Sequence, residues 1–323
     1  MPRAIQVTQP GGPEALTWVQ VGIGEPGPGQ ARLRQTAVGL NYIDVYHRAG
    51  LYPQPPPFIP GVEGAGVVEA IGPGVTGLTV GDRVAYAGPI GAYAEERLID
   101  ADRLVRLPAD IGEGQAAAMM LQGMTVQMLI RQVYPVQSGD TILVHAAAGG
   151  VGLILCQWAA ALGATVIGTV STDEKAELAR AHGCAHPVVT SHQDFVEEVK
   201  RITGGAKLPV VYDSVGRDTF LGSLECLRPR GLMVSFGNAS GPVEPFSPLL
   251  LSQKGSLFLT RPTLYHYIAT RAELEASAGE LFAMVSSGKV KVEIKQRFAL
   301  KDAAEAHRAL EARQTIGSTV LTV

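Results

Sequence analysis

Two rhythms of apolar and polar positions divide this chain. From residue 141 onward, short β-branched runs alternate with stretches that repeat at helical spacing. Thr141–His145, Thr165–Val170, Pro187–Val189, Val210–Tyr212 and Leu232–Phe236 read as strands. Between them, Val151–Leu162, Glu174–His182, Asp194–Ile202 and Phe220–Leu227 read as helices. Such alternation is the pattern of a parallel sheet with right-handed crossovers. The first third of the chain reads differently. Thirteen of the 21 prolines fall before residue 110, with glycine turns at 11–12, 27–29 and 72–77, and that density disfavours long helices. The segments Ala31–Val38, Gly64–Ile71, Arg83–Ala87 and Tyr93–Ile99 fit between the turns as strands of a β-rich domain. Met119–Val133 is proline-free and apolar at helical spacing. After about residue 265 come a helix at Arg271–Ser286, an alternating strand at Lys291–Phe298, a polar-faced helix at Asp302–Arg313 and a closing strand at Ser318–Val323. The pattern predicts an α/β protein in which a doubly wound domain, 124–264, is inserted into a β-rich domain made of 1–123 and 265–323.

Composition narrows this picture in a few places. Thr141–Thr172 holds no Asp, Glu, Lys or Arg, which is long enough to suggest a membrane span. Glycines at 149, 150, 152, 163 and 168 interrupt it, however, and Gln157 and His145 would be stranded in lipid. A parallel strand and its crossover helix, covered on both faces, give the same apolar reading. The N-terminus MPRAIQVTQPGG lacks the apolar core of a signal peptide, so a soluble, cytoplasmic protein is expected. A net charge of −3 without a basic run argues against nucleic acid or an anionic membrane as partner. Cys156, Cys184 and Cys226 are few, odd in number and far apart, which suits a reducing compartment.

The chemistry is concentrated in His145-Ala146-Ala147-Ala148-Gly149-Gly150-Val151-Gly152. This A-x-G-G-x-G run follows a strand and opens a helix, as a dinucleotide-binding turn requires. Glycines let the backbone approach a pyrophosphate whose charge sits on the helix N-terminus. Ala148, Gly149, Gly150 and Val151 are therefore candidate cofactor contacts on a Rossmann domain. About twenty residues later, NAD-specific sites place an acid to hold the ribose 2′-hydroxyl. Here Ser171 and Thr172 stand at the strand end with Lys175 close behind, a set of donors suited to a 2′-phosphate and hence to NADPH. Asp173 is the alternative, since it could face the ribose instead. The histidines are scattered along the chain, and His145 reads as a satisfied core residue.

The whole chain resembles the medium-chain dehydrogenase/reductase superfamily, and within it the zinc-free NADPH:quinone oxidoreductases of the zeta-crystallin type. The resemblance rests on GGPE (11–14), GLNYIDVYHRAGLYP (39–53), PGVEGAGVV (60–68), GDRVAY (81–86), HAAAGGVG (145–152), YDSVGRDT (212–219), RGLMVSFGN (230–238), QKGSLFLTRP (253–262) and LKDAAEAHRALEAR (300–313). It implies a GroES-like fold for the β-rich domain. Zinc-dependent members carry a cysteine near the position of Asn41 and a Gly-His-Glu segment. This chain has Asn41 and Gly61-Val62-Glu63, and no cluster of four cysteines follows Asp82-Arg83-Val84. Zinc needs about four N or S ligands, or three plus water, so no metal is expected. The resemblance further implies that a loop with Asn41, Asp44, Tyr46 and Tyr52 lines the substrate cleft. Asn41, Tyr46 and Tyr52 are the candidates for orienting the substrate and stabilising an oxyanion, with packing as the competing role for the tyrosines. Asp44 reads as a local acceptor that fixes the loop. By the same resemblance, Thr125, Thr190, Ser214, Phe236, Gly237, Asn238, Thr260 and Arg313 approach the cofactor. Arg313 either pairs with phosphate or offsets a helix dipole. Relatives often have lysine where Gln122 stands, and tyrosine where Thr190 stands.

The expected activity is NADPH-dependent reduction of a quinone or similar electron-poor carbonyl. Reduction of α,β-unsaturated aldehydes or ketones uses the same hydride geometry and stays open beside it. A structural or RNA-binding role, known among zeta-crystallin relatives, is the reading from another class. The absence of aromatic-flanked basic patches disfavours RNA. The apolar run Gly255–Thr260 near the sheet edge, together with the resemblance, predicts a homodimer.

Overall fold

The computed structural model describes all 323 residues. They divide into two compact units, one comprising 1–124, 268–286 and 292–323, the other 125–267 and 287–291. In chain order the first unit opens with strands β1 (Arg3–Gln6), β2 (Thr17–Gln20) and β3 (Gln30–Leu40). Helix α1 (Tyr42–Ala49) and strands β4 (Glu63–Ile71), β5 (Arg83–Ala87), β6 (Glu96–Asp100) and β7 (Val105–Arg106) follow, then α2 (Glu113–Ala116) and α3 (Met120–Gln127). The second unit runs β8 (Thr141–Val144), α4 (Gly150–Ala161), β9 (Thr165–Val170), α5 (Asp173–Ala181), β10 (His186–Val189), α6 (Phe195–Ile202), β11 (Leu208–Asp213), α7 (Phe220–Cys226), β12 (Leu227–Ser235), α8 (Leu249–Gln253) and β13 (Phe258–Thr260). The chain then returns through α9 (Arg271–Ser286), β14 (Ile294–Ala299), α10 (Ala303–Glu311) and β15 (Ser318–Thr322).

The second unit is a six-stranded, all-parallel sheet in the order β10-β9-β8-β11-β12-β13. Counted within the unit this is 3-2-1-4-5-6, the dinucleotide-binding order, whose direction reverses between the first and fourth strands. Its strands are apolar on both sides because helices cover both faces. Leu143, Ile167, Val188, Val211 and Met233 form one buried layer, against which Phe220, Leu224 and Val199 pack. The first unit is built on a seven-stranded sheet in the order β14-β15-β3-β4-β5-β7, with β6 pairing the first half of β3 and a separate β1–β2 pair. Its core includes Leu33, Val38, Val68, Val84, Tyr86, Tyr93 and Leu321.

The structure departs from the sequence reading in several local features. The segment after Asn41, expected as a loop, is a helix: Asn41 is extended at its N-cap, its backbone N–H donates to Asp44 Oδ2 at 2.9 Å, and Gly50 closes it in the left-handed conformation. Asn-x-x-Asp followed by Gly50 is a capping signal that the proline-rich surroundings obscured. The strand expected over Tyr93–Ile99 begins only at Glu96, because Tyr93 and Ala94 bond to Pro60, Ala92 and, by an isolated bridge, Ala4. The helix expected over Met119–Val133 widens into a π-turn at Met128–Val133, and the strand in Gly255–Thr260 is confined to Phe258–Thr260.

Candidate active site

The site residues of the second unit gather at the carboxyl ends of its parallel strands. After β8 the chain turns through Ala146, held at φ 53°, and enters α4 at Gly149, which is extended at φ −78°, ψ 172°. A non-glycine residue at positive φ is strained and persists only where its surroundings demand it. Gly152 lies against the same turn: a side chain there would meet the Ala146 carbonyl and lie 2.7 Å from Ala147 Cα. Ala148, Gly149, Gly150 and Val151 thus form a close-packed turn at the start of a twelve-residue helix, where first-turn amides and the helix dipole favour an anion.

At the end of β9, Thr172 caps α5 by accepting the Lys175 backbone N–H at 3.3 Å. The Lys175 ammonium folds back onto Ser171 Oγ at 3.3 Å, so the three predicted 2′-phosphate residues converge. Asp173, the rival, has its carboxylate 3.9 Å from His192 Nε2 and is largely exposed. Thr190, after β10, donates its hydroxyl to the Val170 carbonyl at 3.1 Å, so that proton is already engaged.

Past β11, Gly237 packs on the Ser214 backbone so tightly that a side chain would strike the Ser214 carbonyl. Ser214, Phe236, Gly237 and Asn238 lie together there, and Thr260 ends β13 beside Val234. Arg261 adds a bond to the Gly237 carbonyl at 2.9 Å. Thr125 lies on α3. Arg313 belongs to the first unit, where it takes the left-handed position (φ 58°) just past α10.

Beneath these loops runs a buried network that the sequence reading missed. Asp213 accepts from the backbone N–H of Val215 and Gly216 and from the hydroxyls of Thr219 and Ser223. Ser223 gives its proton to Asp213, so it receives one from His145 Nε2 at 2.9 Å, and His145 Nδ1 accepts from Thr169 Oγ1 at 2.8 Å. His145 is thereby satisfied at both nitrogens in a fixed neutral tautomer, and burial lowers its pKa. The network joins the strand leading to Ser171 to the loop carrying Ser214.

In the first unit, the substrate candidates surround α1. Tyr46 is buried and packs edge-on against Tyr52, ring centroids 5.2 Å apart. Asp44 Oδ2 accepts from Asn41 N and, at 3.1 Å, from Tyr93 O–H, which holds the α1 entry in place. Asn41 itself is 7% exposed and bonded at both ends of its carboxamide. Its Nδ2 donates to Glu63 Oε2 at 2.7 Å and its Oδ1 accepts from Gln122 Nε2 at 3.0 Å. Glu63 and Gln122 were not among the predicted site residues. Burial pushes the Glu63 carboxyl up to about 8, against hydrogen bonds from Asn41, Leu121 and Met120, and the Asp44 carboxyl up to about 7. No three His, Cys, Asp or Glu side chains stand together as metal ligands. Asn41, Val62 and Glu63 offer one carboxylate, already bonded to an amide, which does not fit a zinc site.

A parallel sheet of this order with its glycine turn, joined to a second, β-rich unit, defines a two-domain nicotinamide-dinucleotide oxidoreductase. Residues 27–109 match the alcohol dehydrogenase GroES-like domain and 150–283 the zinc-binding dehydrogenase family. The chain is 55% identical over 323 residues to a quinone oxidoreductase of Pseudomonas aeruginosa, covering 99% of both chains. It is 49% identical to a 2-haloacrylate reductase of a Burkholderia species, again covering 99% of each. The crystal structure of Escherichia coli quinone oxidoreductase complexed with NADPH matches with a TM-score of 0.98 at 48% identity, covering 99% of this chain and 100% of that one. The chain belongs to the medium-chain dehydrogenase/reductase family, in its zeta-crystallin-like quinone oxidoreductase branch.

Proposed function

We propose that this protein is an NADPH-dependent quinone reductase working without a metal. The supporting observation is near-full-length identity of 55% to a quinone oxidoreductase, carried on a chain whose own donors suit the cofactor and the reaction. NADPH supplies two electrons and a proton as hydride; a second proton, taken from water, completes the hydroquinone. The turn at Ala148, Gly149, Gly150 and Val151 holds the pyrophosphate, and Ser171, Thr172 and Lys175 hold the 2′-phosphate. Ser214, Phe236, Gly237, Asn238 and Thr260 line the rest of the cofactor, with Thr125, Thr190 and Arg313 at its margins. Asn41, Tyr46 and Tyr52 orient the acceptor and donate hydrogen bonds to the oxygen on which negative charge develops.

A panel of quinones, enals, enones and halogenated acrylates, assayed under nitrogen with NADPH and NADH, tests this reading. Quinone-dependent NADPH oxidation at the highest kcat/KM supports it; no quinone turnover refutes it. The 49% identity to a 2-haloacrylate reductase favours, as the second reading, reduction of an activated carbon–carbon double bond. That reading predicts the reverse ranking of acceptors.

The working form we propose is a cytoplasmic homodimer. No helix is long and apolar enough to cross a membrane. Edge strand β13 leaves Phe258 62% and Leu259 37% exposed, and an apolar open edge favours pairing with a second copy. Light scattering that returned the 34.0 kDa monomer mass at micromolar protein would overturn the dimer.

A further inference from the structure

Four side chains from separate parts of the first unit form one directed chain of hydrogen bonds. Ser318 Oγ donates to Gln122 Oε1 at 2.8 Å, Gln122 Nε2 to Asn41 Oδ1 at 3.0 Å, and Asn41 Nδ2 to Glu63 Oε2 at 2.7 Å. The Leu121 backbone N–H donates to the other carboxylate oxygen at 2.8 Å. Every group facing Glu63 in this chain is a donor, so the direction runs one way and ends on the carboxyl. Turning Asn41 over would set its oxygen against Glu63 and its N–H against the Gln122 N–H, and turning Gln122 over would set its oxygen against Asn41 Oδ1.

The chain is also largely shielded from water: Glu63 is fully buried, while Asn41, Gln122 and Ser318 keep only a small exposed fraction. Gly39 makes room for it, since a side chain there would collide with Glu63 Oε2 and the Ala117 carbonyl. A buried carboxyl is a poor device for stability, because apolar groups of similar volume are often as good or better. Its presence is explained by what it holds.

We propose that Glu63, Gln122 and Ser318 are positioning residues that orient the Asn41 carboxamide for hydride transfer. An amide nitrogen carries two hydrogens in a fixed plane. Glu63 takes one, so the direction of the other is set, and it is the donor offered to the oxygen of the acceptor as charge builds there. Gln122 suits this chain because it donates to Asn41 while accepting from Ser318. A lysine at that position keeps the donation and frees the Ser318 hydroxyl to rotate. The inference rests on the reductase reading above.

The test is a double-mutant cycle with NADPH and a benzoquinone under nitrogen, using wild type, Asn41→Ala, Gln122→Leu, Gln122→Lys, Glu63→Gln and Asn41→Ala/Gln122→Leu. NADPH affinity is measured separately by fluorescence titration. Gln122→Leu and Glu63→Gln should each lower kcat about 10- to 100-fold, as displaced catalytic groups do, while quinone KM and NADPH affinity change by no more than about twofold. Gln122→Lys should recover most of the loss. Adding Gln122→Leu to Asn41→Ala should lower kcat no further, because both act through one amide. If Glu63→Gln fails to fold, the Gln122 and Asn41 arms decide alone. An unchanged kcat in Gln122→Leu, or losses that multiply in the double variant, overturns the inference and leaves the reductase reading standing. A wild type that oxidises no NADPH with quinone overturns both.

Discussion

Replacing Lys175 tests how this chain distinguishes NADPH from NADH. The Lys175 ammonium lies 3.3 Å from Ser171 Oγ, within the first turn of a helix whose N-cap is Thr172. A phosphate seated against these groups gains a charge-assisted bond from lysine and loses it in Lys175→Ala. Hydrogen bonds to charged groups contribute about 1.5–3 kcal/mol, which corresponds to about 10- to 150-fold in affinity. Because Lys175 is only half-buried, salt screens the contact and the low end of that range applies at physiological ionic strength. Asp173 should matter little, since its exposed carboxylate faces His192. The assay is fluorescence titration of both cofactors, with steady-state kinetics, for wild type and Lys175→Ala at low and high salt. NADPH should weaken by the stated factor, NADH should be nearly untouched, and the gap should narrow as salt rises. Equal losses for the two cofactors, or a wild type that prefers NADH, would refute the assignment of this turn.

Gly152→Ala forces a methyl onto the Ala146–Ala147 backbone, which has no room to yield. Overpacking of this kind costs about 1–3 kcal/mol, so both thermal stability and NADPH affinity should fall; a variant that matches wild type in both would show that the turn relaxes. The raised pKa values of Glu63 and Asp44 mean that the folded chain binds more protons than the unfolded one from about pH 4 up to about 7 and 8. Buried His47, His145 and His307 act oppositely, and their contribution is complete only by about pH 7.5. Melting temperature should therefore fall between about pH 7 and 8.5, and less steeply in Glu63→Gln; a flat or rising wild-type profile in that window contradicts these shifts. Dialysis against a chelator should leave quinone reductase activity intact, whereas about one zinc per chain, lost together with activity, would contradict the donor set seen at Asn41 and Glu63.

The sequence by itself determined the architecture of the second unit. Its strands and helices are short, locally periodic segments, and β9 came out with its observed bounds, as did α9 of the first unit. The glycine turn at 149–152 is equally local, because backbone approach depends on residues adjacent in the chain. Hydrogen-bond partnership in the first unit is another matter. Asn41 could be picked out by resemblance, but what it touches could not. Gln122 and Ser318 are 196 residues apart, and Glu63 comes from a strand on the far side of α1 in sequence. Nothing in a stretch such as Pro60-Gly61-Val62-Glu63 says that its carboxyl will be buried against an amide. The same holds for His145, Ser223 and Asp213, which three different elements bring together. Periodicity reports which face of a segment is apolar. Only the packing of the finished fold selects which polar groups are enclosed with one another, since a buried donor or acceptor must find its partner wherever the chain has placed it.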